Sequence, residues 1–429
     1  MKKILCALFV LTTLNSYSQQ NSNYDLAAKF SPKKLAKLVH SSSVRPHYLK
    51  NGDKFWYQYK TTEGSNYYIV DPNKKTKKKL FDNDKMAAWL TEITKDPYDA
   101  KHLPKFDFKF IDNETAIKFR VTSKYEDEES QDIKKNKIEK DKKNKKVFLF
   151  KYVLGSNKLT LISNKKAPKE NWKKWANISP DSTVVFYSKK FNLYWMDKEN
   201  FLKATKNEKD STIVENQWTK DGVKDYSYGG YGRGLDNEEV KKKKNDRFPI
   251  RGYWSSDSKK FVYQRTDSRE IKDLWVINSV AKKRPTLETY KYHMPGEAEY
   301  YKREILIFDI PSKEIKNVKL DRSKQQYISV FSKPRKPSEY DDDFKPTLLL
   351  SEKNKIYFNT ISRDRKNLDI CVADLNTGEV KVLIKEKTNT YFYETKSIYL
   401  INNESEMIHW SERDGWGHFY RYNSNGNLI

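Results

Sequence analysis

Cysteine is almost missing from this chain of 429 residues: Cys6 and Cys371 are the only two. A disulfide framework is therefore excluded. Cys6 lies early in the leader described below, too far from its end to be a lipid-attachment site. Cys371, in the apolar run Leu368-Asp369-Ile370-Cys371-Val372-Ala373, reads as a buried strand residue rather than a nucleophile. Glycine and proline are scarce, 14 of each, so many tight turns must be made from Asn, Asp and Lys. Past the first residues no apolar run is long enough to span a bilayer. With 33% charged residues, an integral membrane protein is excluded.

Acidic residues are also short: 58 Asp+Glu face 84 Lys+Arg, a net charge of +26. Such a balance raises nucleic-acid binding. The basic blocks do not support it. Lys134 to Lys146 holds eight lysines after Glu126-Asp127-Glu128-Glu129, Lys241 to Lys244 is a shorter block, and neither interleaves the aromatics that stack on bases. Solvated lysine-rich loops are the simpler account, and no nucleic-acid partner is expected. The six histidines (40, 47, 102, 293, 409 and 418) never pair at i, i+2 or i, i+4, so no metal-ligand spacing is present and no metal or cofactor is expected. No Gly-x-Ser-x-Gly elbow occurs either. The nearest string is Asp225-Tyr226-Ser227-Tyr228-Gly229-Gly230, where an aspartate replaces the first glycine, so Ser227 reads as a decoy. The glycines 229, 230, 232 and 234 lack a following Gly-Lys-Ser/Thr and read as a loop rather than a phosphate cradle.

What the chain does have is aromatics, 14% of it, with 29 Tyr and 21 Phe spread from end to end. A disordered chain is excluded. The length allows two or three domains, or one large all-β domain. Lys2 and Lys3, the apolar Ile4 to Thr12, and Ser16-Tyr17-Ser18 before Gln19 form an export signal over residues 1–18, so a periplasmic or extracellular product is expected. Residues 19–50 read as a helical lead-in, with Leu26, Phe30, Leu35 and Leu38 at helical spacing and Pro32 suited to a first turn.

From residue 51 to 429 the pattern is β. Aromatic and β-branched runs predict strands at Phe55–Tyr59, Tyr67–Val70, Val147–Phe150, Leu159–Ile162, Val184–Tyr187, Phe261–Tyr263, Ile305–Phe308, Ile356–Phe358 and Ile398–Leu400. Asn51-Gly52, Asp221-Gly222, Thr377-Gly378, Asp414-Gly415 and Asn425-Gly426 supply turns. A sub-pattern recurs: a polar turn and strand (179–187, 255–263, 351–358), then a strand ending in Asp197, Asp309 or Asp374. Irregular four-strand units every 40–60 residues or so point to a β-propeller; a long sandwich array would need clearer linkers.

Carboxylates cluster at Glu238-Glu239 and at Asp341-Asp342-Asp343. Adjacent carboxylates usually face solvent, and Asp341 to Asp343 read as a solvated loop. They become useful where a cavity gathers them around a cation such as a peptide's ammonium terminus.

Three ordered motifs carry a family resemblance. Gly252-Tyr253-Trp254-Ser255-Ser256-Asp257 followed by Arg284-Pro285-Thr286-Leu287-Glu288-Thr289-Tyr290-Lys291-Tyr292-His293-Met294-Pro295-Gly296-Glu297 resembles the central propeller region of the dipeptidyl peptidase IV family, in the prolyl oligopeptidase superfamily. Ser411-Glu412-Arg413-Asp414-Gly415-Trp416-Gly417-His418-Phe419-Tyr420 resembles a later blade of it, as does Lys220-Asp221-Gly222 leading to Tyr226-Ser227-Tyr228-Gly229. The resemblance runs from about residue 24 to the last. It implies an exported serine exopeptidase that removes short peptides from N-termini, often after proline, with an eight-bladed propeller over an α/β-hydrolase domain bearing a Ser-Asp-His triad. On this comparison the chain stops at Ile429 in the penultimate blade. The last blade and the hydrolase domain would then be absent, the propeller edge would be open to oligomerisation, and a peptide substrate would be met only through the missing domain. The family's propeller also supplies an acidic pair for the substrate's free amino group. Its register falls on Asn245-Asp246 without gaps, or on Glu238-Glu239 with an insertion for the lysine block, so Glu238, Glu239 and Asp246 are the candidate substrate-binding residues. Lys241 to Lys244 and Arg247 would weaken such a site by like charge. No catalytic residue is assigned. The alternative is a free-standing exported propeller used as a binding or scaffold module.

Overall fold

The computed structural model describes residues 23–49, 52–126, 145–163, 173–230, 235–281, 284–333, 347–393 and 397–429. The expected export signal, the lysine run as far as residue 144, residues 231–234 with Gly232 and Gly234, and the cluster Asp341–Asp343 lie outside these. Chain contacts divide the molecule into two compact units, Met1–Pro168 and Lys169–Ile429.

The first unit opens with α1 (Tyr24–Lys29), capped by the Asn23 side chain accepting from Leu26 N at 2.8 Å, and α2 (Pro32–Leu38), with proline in its first turn. The helical spacing is real, yet Leu26, Phe30 and Leu38 stay exposed. Two antiparallel meanders follow in chain order: β1 (His47–Tyr48), β2 (Phe55–Thr61), β3 (Gly64–Asp71) and β4 (Thr76–Lys79), then β5 (Lys109–Ile111), β6 (Ala116–Glu126), β7 (Lys145–Val153) and β8 (Lys158–Ser163). Between them α3 (Asn83–Thr94) interrupts the strand pattern expected from the sequence. Asp82 caps α3 through Asp84 N and Lys85 N, Lys95 ends it in a left-handed conformation, and Met86 and Leu90 bury one face. Those residues join a core built mainly of aromatics, including Tyr67, Phe81, Phe106, Phe108, Phe119, Phe150 and Tyr152. Ring pairs such as Phe106–Phe119 at 4.8 Å take edge-on geometry.

In the second unit β9 (Asn177–Ile178), β10 (Val184–Lys189), β11 (Asn192–Asp197) and β12 (Asn216–Gln217) form one meander, with α4 (Lys198–Lys206) before β12. After α5 (Asn237–Lys243) come β13 (Gly252–Trp254) and β14 (Lys260–Asp267), a separate hairpin of β15 (Asp273–Asn278) and β16 (Thr286–Lys291), then β17 (Lys302–Asp309) and β18 (Ile315–Asn317). β19 (Gln326–Val330) precedes the short β20 (Ser332–Lys333) and β21 (Leu348–Leu349); β22 (Lys355–Ser362), β23 (Asn367–Asp374) and β24 (Val380–Lys387) follow. The last sheet holds β25 (Ile398–Ile401), β26 (Glu406–Ser411) and β27 (His418–Asn423). β19-β22-β23-β24 is a four-stranded meander, and the largest sheet runs β18-β17-β14-β13-β21-β20. The chain is thus mostly β, and every strand run read from the sequence lies in a strand.

Two of the three recurrent polar turns are closed by a serine and an aspartate, while Ser351 of the third donates to Glu404 at 2.6 Å. Ser179 donates to Asp181 at 2.6 Å and accepts from Val184 N at 3.0 Å; Ser255 does the same with Asp257 at 2.6 Å and Lys260 N at 2.9 Å. Seventeen described non-glycine residues have positive φ, and eleven are Asn, Asp or Lys, as the scarcity of glycine requires. Gly252 is needed for another reason: a Cβ there would lie 2.0 Å from the Phe261 ring. Phe261 packs at 4.9 Å from both Phe186 and the fully buried Trp254, within one of this unit's core clusters. Cys371 is buried in β23, and burial pushes its thiol up to about 12. Among the described residues no helix is long and apolar enough to cross a membrane.

Candidate functional site

The segment Asp221–Gly230 owes its path to one arginine. Arg265, on β14, is buried and donates to Glu304 Oε1 at 2.6 Å and to Asp221 Oδ2 at 2.7 Å. The Tyr226 and Tyr228 rings lie 3.6 and 4.5 Å from its guanidinium carbon. Tyr226 and Tyr228 donate in turn to Glu304 at 2.7 Å and Asp221 at 3.0 Å. Burial works against the Arg265 charge, but the hydrogen bonds it donates to both carboxylates outweigh this and raise the pKa. At the end of the segment Gly229, at φ +90°, donates to the Tyr263 hydroxyl at 2.8 Å; a Cβ at Gly229 would meet Ser188 Cβ at 2.4 Å.

This segment, α5, β14, β16 and β17 enclose a cavity of about 1160 Å³, a size that accommodates a short peptide. α5 begins with a capping box: Asp236 accepts from Glu239 N at 2.8 Å, and Glu239 accepts from Asp236 N at 3.2 Å. Buried Val240 anchors the helix, and Asn237 donates to Thr289 of β16 at 2.7 Å. The three candidate acids part company here. Glu239 lines the cavity, half-buried, with Lys243 Nζ 3.8 Å away. Glu238 is exposed and outside the lining, held below the ordinary carboxylate range by its hydrogen bond with Lys241 at 2.6 Å. Asp246 is exposed beyond the helix, where its N–H donates to Lys243 O at 2.8 Å, and does not line the cavity. The like-charge penalty expected from Arg247 falls elsewhere, since that side chain is spent on Glu215 at 2.7 Å.

Other lining groups were not singled out from the sequence. Asp225 has its carboxyl raised by burial, with Lys224 3.8 Å away. Asp236, Glu288, Tyr253, Tyr290 and Tyr301 also line the wall, as does Tyr263, whose hydroxyl burial pushes up to about 12. Asp236 left a legible trace in the Asp-x-x-Glu spacing of a capping box, and Tyr253, Glu288 and Tyr290 stand within the family motifs; the rest meet through pairings such as Tyr263 with Leu306, which no local pattern encodes. Carboxylates among aromatic rings suit a cationic group. Ser227 lines the cavity too, but among the described residues no histidine does, so no nucleophile–base pair is formed there. No described cluster of His, Cys, Asp or Glu has the grouping to hold a metal ion.

The family model of the dipeptidyl peptidase IV (DPP IV) N-terminal region matches residues 126–429. The chain belongs to this family. As a DPP IV N-terminal region it is a peptidase-associated, mostly β domain, as its motifs implied. No curated protein matches it significantly. Among solved structures it is similar to a candidate dipeptidyl aminopeptidase IV from Bacteroides ovatus (15% identity, 90% of this chain and 44% of that one, TM-score 0.42). It is similar also to Porphyromonas gingivalis dipeptidyl peptidase 4 (13% identity, 96% and 49%, TM-score 0.42). The chain spans about half the length of these structures.

Proposed function

We propose that this chain is the substrate-gating portion of an exported dipeptidyl-peptidase-IV-like serine exopeptidase, its sheets being blades of a propeller. In this reading Glu239 receives the free amino terminus of a peptide, and bond cleavage belongs to a hydrolase domain carrying the Ser-Asp-His triad. The observation that carries it is the placement of Glu239 on the cavity wall, on a short helix before Gly252-Tyr253-Trp254, within the family match. An ammonium group there gains charge-assisted hydrogen bonds in a site partly screened from water. Glu238 and Asp246 are not needed for that contact.

The test is calorimetric titration of the purified chain with a proline-containing peptide bearing a free amino terminus, beside its N-acetylated form, together with a chromogenic dipeptidase assay. Tight binding of the free amine only, weakened roughly tenfold or more by Glu239→Gln, and no turnover, is the expected result. Equal binding of both peptides would discard the ammonium site and leave a binding module. Turnover by this chain alone would discard the division of labour.

A further inference from the structure

Six of the eleven described arginines of the second unit sit against carboxylates, among them Arg265 against Glu304 at 2.6 Å, Arg269 against Asp267 at 2.6 Å and Arg413 against Glu386 at 2.5 Å. Arg303 differs. It stands on β17 opposite Thr266 of β14, half-buried, and lines the same cavity as Glu239. Among the described residues no carboxylate lies within 4.0 Å of it. Among the described residues its side chain makes one hydrogen bond, from Nη1 to the Gln326 carbonyl at 2.8 Å, and its carbon lies 5.0 Å from the Tyr327 ring and 5.8 Å from that of Tyr301. Burial lowers its pKa, and only the neighbouring tyrosines offset this. Gln264 and Thr266 line the same wall and make no side-chain hydrogen bond among the described residues. Arg251, also on the lining, is exposed, and water solvates it at little cost. A half-buried guanidinium with four N–H donors unused by the described residues, beside a cavity, is a poor structural element and a good receptor, because its planar fork matches a carboxylate.

We propose that Arg303 recognises a carboxylate on the bound peptide, so that the cavity selects peptides carrying an acidic group as well as a free amino terminus. The inference rests on the reading of the cavity as a peptide site. The acidic group is a Glu or Asp side chain or the peptide's own C-terminal carboxylate.

Calorimetric titration of the full chain separates the two sources. Glu-Pro-Ala amide and Ala-Pro-Glu amide are compared with their Gln counterparts for the side chain, and Ala-Pro-Ala acid with its amide for the terminus. In one pair or more the acid should bind roughly tenfold more tightly than its neutral partner. Arg303→Met should remove that preference while leaving neutral peptides bound as before, which also shows that the variant is folded; Arg303→Lys should restore only part of it. Equal affinities within every pair, or a preference that survives Arg303→Met, overturn the proposal. An acid preference kept together with an affinity that does not fall when the amino terminus is acetylated or Glu239 is changed to Gln sinks the ammonium reading and leaves Arg303 standing. Failure of every peptide to bind counts against both.

Discussion

Arg265 and Glu304 lie directly opposite each other across the β14–β17 pair, 2.6 Å apart and each 4% exposed. Thirty-nine residues separate them in the chain, and the hairpin β15–β16 falls within that interval. Removing the arginine alone takes away one of the two guanidinium partners of buried Glu304, leaving Arg322 at 3.0 Å, and frees Asp221. Arg265→Ala should therefore cost about 3–5 kcal/mol in urea unfolding. The double variant Arg265→Met, Glu304→Leu should recover at least half of the loss, since apolar groups of similar volume need no compensation. Equal losses in the single and the double variant would show that packing, not charge, is at stake.

Acid should destabilise the protein over a definite window. Burial of Glu386 favours its protonated form, but His409, the Ser411 hydroxyl and Arg413 outweigh this and hold it at about 2. His409 Nε2 lies 3.3 Å from that carboxylate. The folded value lies below the unfolded one, about 4.3, so the stabilisation is complete above the unfolded value and is lost as pH falls through about 2. Asp309, held at about 2 by its hydrogen bond with Lys260, adds to the same window. Glu386→Gln should be less stable at neutral pH and should lose less between pH 4.5 and 2 than the parent does, followed by thermal melts across that range. Parallel pH profiles would refute this.

Gly252→Ala should destabilise by about 1–3 kcal/mol through overpacking against Phe261, with a lowered Tm as the readout. Gly252→Ala combined with Phe261→Leu should lose less than the two separate losses added together. Strict additivity would mean that the ring and the methyl never meet.

Cys371 should resist thiol reagents in the native state, being buried with its thiol pushed up to about 12, because the thiolate is the reactive species. In a Cys6→Ser background, one thiol should become reactive on unfolding and none before. Rapid labelling of the native chain would place Cys371 at the surface.

Much of this was written in local pattern. Runs such as Val184–Tyr187 and Ile305–Phe308 read as strands because β-branched and aromatic side chains suit a pleated, half-buried surface. For the helix α3, Met86, Trp89, Leu90 and Ile93 repeat at helical spacing after the Asp82 cap, but the aromatic runs on either side mask this signal with a β pattern. The candidate acids were legible as a cluster but not as individuals. Glu238 and Glu239 are neighbours of one type, and a helix of 3.6 residues per turn sends one to the cavity and the other to Lys241.

Composition and spacing decided that the chain carries no disulfide framework, that it builds short strands with turns of Asn, Asp and Lys, and that its motifs follow the DPP IV N-terminal region. Those properties depend on residues a few positions apart. Which carboxylate meets the cavity, which arginine is spent on Glu304 and which is left facing open space were settled only when β14 and β17 paired across an inserted hairpin. Burial and charge neutralisation belong to groups that are distant in the chain and close in space.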